Sequence, residues 1–312
     1  MKSMRFAVYG GPEVLEVADV DLPRPGPGQV RIAVRAAGVN PVDWKIRAGL
    51  LQQMMPLQLP AGSGQDAAGV VDAVGPGVAG IAVGDAVFGS GSDTYSEHAL
   101  LSAWEMLAPG LSFEEAAGYP APVGTAVRAL DQVGIAEGQT LLVSGASGGV
   151  GSAVLQIARD RGITVIGTAS SDNQDYLRSM GAIATTYGPG LVQRIRSLVP
   201  DGVDAALDVA GSGIISDLVE LTGDPRQVVS IADFSAPEYG ARILDQPQDQ
   251  PAALKLAAQM FIDGKLHIPV QQSFPLHRAA DAHTASQSGH ARGRLVLTVQ
   301  PAAGAGHLEA TS

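Results

Sequence analysis

The residues best equipped for chemistry lie in one short stretch, Leu141-Leu142-Val143-Ser144-Gly145-Ala146-Ser147-Gly148-Gly149-Val150-Gly151. An apolar run ends in small residues. Apolar positions then recur at Val150, Val154, Ile157 and Ala158, which is helical spacing. The stretch predicts a buried strand turning tightly into a helix. A helix start presents unpaired N–H groups and the positive end of its dipole. Gly148 and Gly151 carry no Cβ, so a ligand and the strand can approach the backbone closely. Such a turn attracts a pyrophosphate, and a dinucleotide cofactor brings hydride chemistry. The glycines also suit plain close packing of helix on strand, and Ala146 stands where the G-x-G-x-x-G pattern has its first glycine. A second strand at Ile163 to Thr168 follows at once, completing a βαβ unit of roughly 30 residues and favouring the cofactor.

Elements on either side must position this turn. The first third alternates like β-structure: Phe6 to Tyr9, Leu15 to Val20, Gln29 to Ala37, Ala68 to Val74 and Val83 to Gly89, broken by Gly-Pro turns. Helices are expected at Phe113 to Gly118 and Thr125 to Val133. Strands at Leu141–Ser144, Thr164–Thr168, Ala205–Val209 and Gln227–Ile231 then alternate with helices, the signature of a doubly wound parallel sheet. Ala252 to Ile262 reads as a further helix. Arg294 to Val299 reads as one more strand after that sheet is complete, so the chain is expected to return to its first domain. The small, polar tail from 301 to 312 is expected to fray.

Composition narrows the function. With 312 residues, two domains are the prior. A net charge of −11 and no basic run make nucleic acid and anionic membrane poor partners. The chain has no Cys, so disulfides, thiolate nucleophiles and cysteine-ligated zinc are excluded. None of the 6 His forms an H-x-x-x-H pair. No signal-peptide core or membrane-length apolar run is present, so the cytoplasm is the expected compartment.

Six motifs in order carry a resemblance. They are Ala37-Gly38-Val39-Asn40-Pro41-Val42-Asp43, Gly64-Gln65-Asp66-Ala67-Ala68-Gly69-Val70-Val71, Gly84-Asp85-Ala86-Val87, the glycine turn, Gly202-Val203-Asp204-Ala205-Ala206-Leu207-Asp208, and Gly289-His290-Ala291-Arg292-Gly293-Arg294. With these the chain resembles a medium-chain dehydrogenase/reductase of the zinc-free quinone oxidoreductase branch, from Met4 to Val299. The resemblance implies an α/β protein. A GroES-like β-rich catalytic domain would cover 1–120, completed by 268–300, and a Rossmann NADPH-binding domain 121–267, with the active site in the cleft between them. It also implies a homodimer. Zinc-dependent relatives place Cys and His where Asn40 and Gln65 stand, and amides are weak zinc ligands. Without a Lewis acid an alkoxide loses its stabilisation; a conjugated carbonyl acceptor does not need one.

The resemblance further implies cofactor contacts from Thr125, Ser147, Gly148, Gly149, Val150, Ser170, Ser171, Tyr187 and Ile231. The tip of the second strand, near Ala169, is not acidic. Ser170 and Ser171 leave room for a 2′-phosphate and can donate to it, which favours NADPH. Asp172 argues for NAD. Gln174 or a neighbour replaces the family's usual Lys, leaving Arg178 or Tyr187 to reach the phosphate. Asn40 is the first catalytic candidate, aimed at the acceptor oxygen; an Asn-Pro turn is the alternative. Lys45, where relatives have Tyr, either polarises a carbonyl and donates a proton or is simply solvated. Trp44 stacks on a flat ligand or packs, Asp66 matches a family position or only braces a strand start, and Tyr95 lines the cleft or holds a loop. Thr125 contacts the nicotinamide ribose or caps a helix. The expected function is NADPH-dependent reduction of a quinone or other conjugated carbonyl. A stand-alone enoyl reductase on a polyketide-like intermediate and a non-catalytic NADPH-binding protein are the alternatives.

Overall fold

The computed structural model describes residues 1–245, 247 and 249–300; the expected frayed tail lies outside them. Contacts divide the chain into two units, Met1–Pro120 joined by the stretch from Val270, and Ala121–Pro269.

The first unit runs through β1 (Lys2–Phe6), β2 (Glu16–Asp19), β3 (Val30–Val39), α1 (Pro41–Arg47), β4 (Ala61–Gly62), β5 (Asp66–Val74), β6 (Ala86–Ser92), β7 (His98–Met106) and α2 (Phe113–Ala117). Alternation in β3 buries Val30, Ile32 and Val34 and leaves Arg31, Ala33 and Arg35 half-covered, as period-2 patterning requires. β3 pairs antiparallel with both β5 and β7, and β6 joins those two, so four strands close around Val30, Ile32, Val34, Ala67, Val71, Val87, Ala99 and Leu101. From Ala36 to Val39 both faces of β3 are buried. The first strand sits earlier than Phe6 to Tyr9: pairing of Lys2 with Asp19 and Arg5 with Glu16 fixes its register, and Val8 is exposed. The expected strand at Val83 to Gly89 begins only at Ala86, because Val83 is exposed and Gly84 has a left-handed φ of 102°.

The second unit comprises α3 (Pro120–Val133), β8 (Thr140–Ser144), α4 (Gly149–Asp160), β9 (Thr164–Ala169), α5 (Gln174–Ser179), β10 (Ile183–Thr186), α6 (Leu191–Leu198), β11 (Ala205–Asp208), α7 (Ile215–Thr222), β12 (Val228–Ser230), β13 (Arg242–Ile243) and α8 (Gln250–Ile262). The six strands are all parallel, in the order β10-β9-β8-β11-β12-β13. That is the doubly wound dinucleotide-binding order, whose ligands bind beyond the strand C-termini where the order reverses. Leu141, Leu142 and Val143 are wholly buried, as expected of a strand covered on both faces. The chain then returns to the first unit through β14 (Val270–Pro275), α9 (Ala279–Gln287) and β15 (Arg294–Thr298). β15 lies antiparallel to β3, pairing Leu295 with Val39 and Thr298 with Ala36.

Candidate active site

The glycine turn sits at the C-terminal end of β8, beside β11. Gly145 takes the left-handed φ of 78° that starts the turn, and a Cβ there would meet Ala210 Cβ at 2.9 Å. Ala146, the departure from the glycine pattern, is fully buried, and its N–H donates to the Thr168 carbonyl at 3.0 Å. Its methyl fills space that Gly167 leaves open on β9, where an added Cβ would lie 2.9 Å from Ala146 Cβ. An alanine at the pattern's first position is thus accommodated by a glycine on the adjacent strand.

Gly148 and Gly151 have different jobs. A Cβ on Gly151 would overlap the Gly145 carbonyl oxygen and lie 2.5 Å from Ala146 Cα, so this glycine lets α4 pack onto the turn. Gly148 has extended backbone, φ −75° and ψ 178°, which any residue adopts. A Cβ there would meet only the Gly145 oxygen, at 3.8 Å. Nothing among the described residues requires glycine at 148. Gly148 is the N-cap of α4 and provides no side-chain cap, so the first N–H groups of a twelve-residue helix, those of Gly149, Val150 and Gly151, are left to another acceptor. Ser147, Gly148, Gly149 and Val150 are all half-buried around that end. A diphosphate fits this cradle.

At the neighbouring strand ends, Thr186 of β10 pairs with Ala169 of β9, so Ser170 and Tyr187 leave the sheet side by side. Ser170 is half-buried, and Ser171 and Tyr187 are exposed. Asp172 is exposed and accepts from Ser171 Oγ at 3.1 Å. Gln174 Nε2 donates to the carbonyls of Ala169, Ser170 and Thr185, at 3.2, 3.0 and 3.1 Å, tying the two strand ends together. Arg178 is exposed and paired with Asp175 at 2.7 Å.

Thr125 does not open a helix. α3 begins at Pro120, which puts Thr125 in its second turn and removes capping as the reason for a threonine there. Ile231 is half-buried and donates its N–H to the Asp208 carbonyl at 2.9 Å. Two neighbours went unassigned in the sequence reading. Asp208, wholly buried at the end of β11, accepts from the backbone of Ala210 and Gly211 and, at 2.8 Å, from Ser230 Oγ. Ser230 Oγ in turn accepts from Ala232 and Asp233 N–H. The available signal was a polar residue ending each of two adjacent apolar strands.

The first unit holds a buried polar network. Asn40 Nδ2 donates to Asp66 at 2.9 Å, and its Oδ1 accepts from Arg294 Nη2 at 2.8 Å. Asp43 accepts from the Asn40 N–H at 2.8 Å and from Tyr95 Oη at 2.9 Å. Burial pushes the Asp43 carboxyl up to about 7, against the hydrogen bonds that oppose the shift. The same burial, with Asp43 beside it, pushes the Tyr95 phenol up, and burial pushes the Arg294 guanidinium down. Asp66 is indeed a brace: it also accepts from Ser90 Oγ. Tyr95 is wholly buried and lines no opening. Asn40 therefore has its amide orientation fixed from both ends, with one N–H left over. Lys45 is half-buried with its ammonium 5.7 Å from the Trp44 ring centroid, and no carboxylate among the described residues pairs with it.

Comparison with known proteins agrees with this architecture. Residues 26–127 match the alcohol dehydrogenase GroES-like domain, and residues 182–297 match the zinc-binding dehydrogenase domain. The quinone oxidoreductase of Homo sapiens is 33% identical, over 95% of this chain and 97% of that protein. The chain belongs to the medium-chain dehydrogenase/reductase superfamily, in its quinone oxidoreductase branch. It is an oxidoreductase with a dehydrogenase-type nicotinamide-binding domain. Escherichia coli quinone oxidoreductase complexed with NADPH superposes with a TM-score of 0.83 at 25% identity, covering 96% of this chain and 100% of that one. The polyketide synthase component PikAII of Streptomyces venezuelae is 35% identical over 90% of this chain and 8% of its own length.

The two positions where the resemblance implies zinc ligands in zinc-dependent relatives hold amides here. Asn40 is committed to Asp66 and Arg294 as above. Gln65 precedes Asp66, and its carbonyl accepts from the Gly91 N–H. Among the described residues no three His, Cys, Asp or Glu are grouped to hold a metal ion, and no helix is long and apolar enough to cross a membrane.

Proposed function

We propose that this oxidoreductase is a zinc-independent, NADPH-dependent reductase of conjugated carbonyl acceptors, quinones or enones. The observation that carries the reading is the uncapped start of α4 beside a Gly148 that the fold itself does not need. It is joined by the non-acidic end of β9, where Ser170 and Ser171 stand in place of an acid. Bound NADPH would supply a hydride at the nicotinamide C4. Gly149 and Val150 N–H groups, with Ser147, hold the pyrophosphate. Thr125 and Ile231 hold the nicotinamide end. Ser170, Ser171 and Tyr187 take the 2′-phosphate.

On the substrate side, Asn40 presents its remaining N–H in a fixed direction, and donors set in place before charge develops are the effective kind. Lys45, with no carboxylate among the described residues to neutralise it, stabilises the enolate oxygen and delivers the proton that completes reduction. Amides at positions 40 and 65 support chemistry without zinc. The same reading makes the protein a cytoplasmic homodimer acting on a small molecule. The test is oxidation of NADPH, followed by its absorbance, across quinones, enones and enoyl thioesters. Turnover of quinones or enones is expected. Tight NADPH binding with no acceptor reduced would overturn the enzyme reading. The likeness to part of PikAII favours a second reading, a free-standing enoyl reductase; turnover confined to enoyl thioesters would select it.

A further inference from the structure

The proposed 2′-phosphate site lacks an obvious cation. Gln174 is neutral and spends its amide N–H groups on the carbonyls of Ala169, Ser170 and Thr185, and Arg178 is engaged with Asp175 out in solvent. A different arginine is held at the same strand ends. Arg194 lies in the first turn of α6, and its guanidinium folds back over the loop that follows β10. Nη1 donates to the Pro189 carbonyl at 2.6 Å. Nη2 donates to the Thr186 carbonyl at 2.9 Å and shares its remaining contacts with Tyr187 and Gly188 carbonyls, both at 3.3 Å. All four acceptors are neutral. No carboxylate among the described residues pairs with Arg194, which is half-buried. Carbonyl dipoles orient a guanidinium without cancelling its charge, and partial burial keeps that charge from being fully screened.

Register places this charge. Thr186 is paired with Ala169, so the loop that Arg194 clasps is adjacent to Ser170 and Ser171. Gln174 locks the other side by bridging Ala169, Ser170 and Thr185. The two loops are thus fixed against each other, with the Arg194 guanidinium held on the backbone carbonyls of the Tyr187 loop. A dinucleotide that ends there in a neutral ribose hydroxyl gains little from that charge. One that carries a phosphate on the ribose gains a charge-assisted partner.

We infer that Arg194 is the specificity-determining residue for NADPH over NADH, fixing the Tyr187 loop and supplying a cation for the 2′-phosphate. The inference rests on the NADPH reading above. It is tested by titrating the full-length protein with NADPH and with NADH, reading nicotinamide fluorescence, in wild type, Arg194→Met and Arg178→Met. Wild type is expected to prefer NADPH by about tenfold or more. Arg194→Met should weaken NADPH by about tenfold, leave NADH within about twofold, and so erase the preference. Arg178→Met should leave it intact. A structural role alone would weaken both cofactors together, which overturns the inference, as does a preference that survives Arg194→Met. Wild type that binds NADH as tightly as NADPH would instead refute the cofactor reading beneath it. Should Arg194→Met not fold, competition by 2′,5′-ADP and by ADP in wild type decides. Added salt should narrow the advantage of 2′,5′-ADP; an advantage indifferent to salt means no cation faces the phosphate.

Discussion

Replacing Gly148 and Gly151 one at a time separates two uses of glycine within four residues. At Gly148 the backbone is extended and the nearest neighbour of a new Cβ is 3.8 Å away. Gly148→Val should therefore change apo stability by no more than about 1 kcal/mol, the difference between glycine and a poor N-cap residue. It should weaken NADPH binding by about tenfold or more, roughly 1.4 kcal/mol, because the side chain enters the space above the helix start. At Gly151 the new methyl meets Ala146 Cα at 2.5 Å and its carbonyl carbon at 2.6 Å, both backbone atoms that no rotamer change can clear. Helix propensity favours Ala over Gly by about 1 kcal/mol, and overpacking typically costs about 1–3 kcal/mol, more where the obstacle is backbone. Gly151→Ala should thus lose about 1–2 kcal/mol net, or several degrees in Tm at about 2–4 °C per kcal/mol. Thermal melts of the apo protein beside calorimetric titration with NADPH measure both quantities. A Gly148→Val protein that melts early yet binds normally, or a Gly151→Ala protein as stable as wild type, would refute the division of labour.

Other outcomes follow from the first unit. His283, buried and beside Arg47, is held down to about 3, so it stays neutral in the fold; the stability this gives is present above the unfolded value near 6.5 and is lost as pH falls from there toward 3. Asp43 runs the opposite way: with its carboxyl up at about 7, stability is lost as pH rises from about 4 to 7. Each swing is on the order of 4 kcal/mol, so the two slopes largely cancel between about pH 4 and 6.5. His283→Phe should expose the Asp43 slope, and denaturant melts across pH that show no new loss of stability on raising pH would count against it. Arg294→Met leaves Asn40 and Asp66 without their cation in a buried site and should cost about 3–5 kcal/mol, read as a drop in the urea midpoint; a loss below about 1 kcal/mol would mean the network is not a unit. Reductase activity should survive exhaustive chelation, and elemental analysis that finds one tightly held zinc per chain would contradict the zinc-independent reading.

The doubly wound sheet was legible because β8, β9, β11 and β12 are apolar runs punctuated by helical periods. Strand β10 was missed: four residues, Ile183–Thr186, half of them threonine, give no period to count. Helix α1 was missed because Asn40-Pro41 signals a turn equally well and three of its seven residues, Asp43, Lys45 and Arg47, are charged. The buried network was out of reach for a different reason. Asn40 and Arg294 are separated by 254 residues, and although both lie in recognisable motifs, nothing in a sequence pairs them. Asn40 could be picked out as special, but its commitment to Asp66 and Arg294 appears only once β3, β5 and β15 are side by side. Burial likewise decided Tyr95, which a loop position left open.

The pairing of β15 with β3 has a temporal side. During synthesis β3, β5, β6 and β7 emerge together, whereas β15 follows only after Ala121–Pro269 has been made. At roughly 5–20 residues per second that interval is on the order of ten seconds. The nucleotide-binding unit is continuous and can close within it. The first unit waits with the Ala36–Val39 edge of β3 unpaired and the Asn40–Asp66 pair still lacking Arg294. An open strand edge is a template for pairing with another chain. Nascent chains should therefore be most vulnerable to aggregation, and most dependent on chaperones, in the window before Leu295 leaves the ribosome.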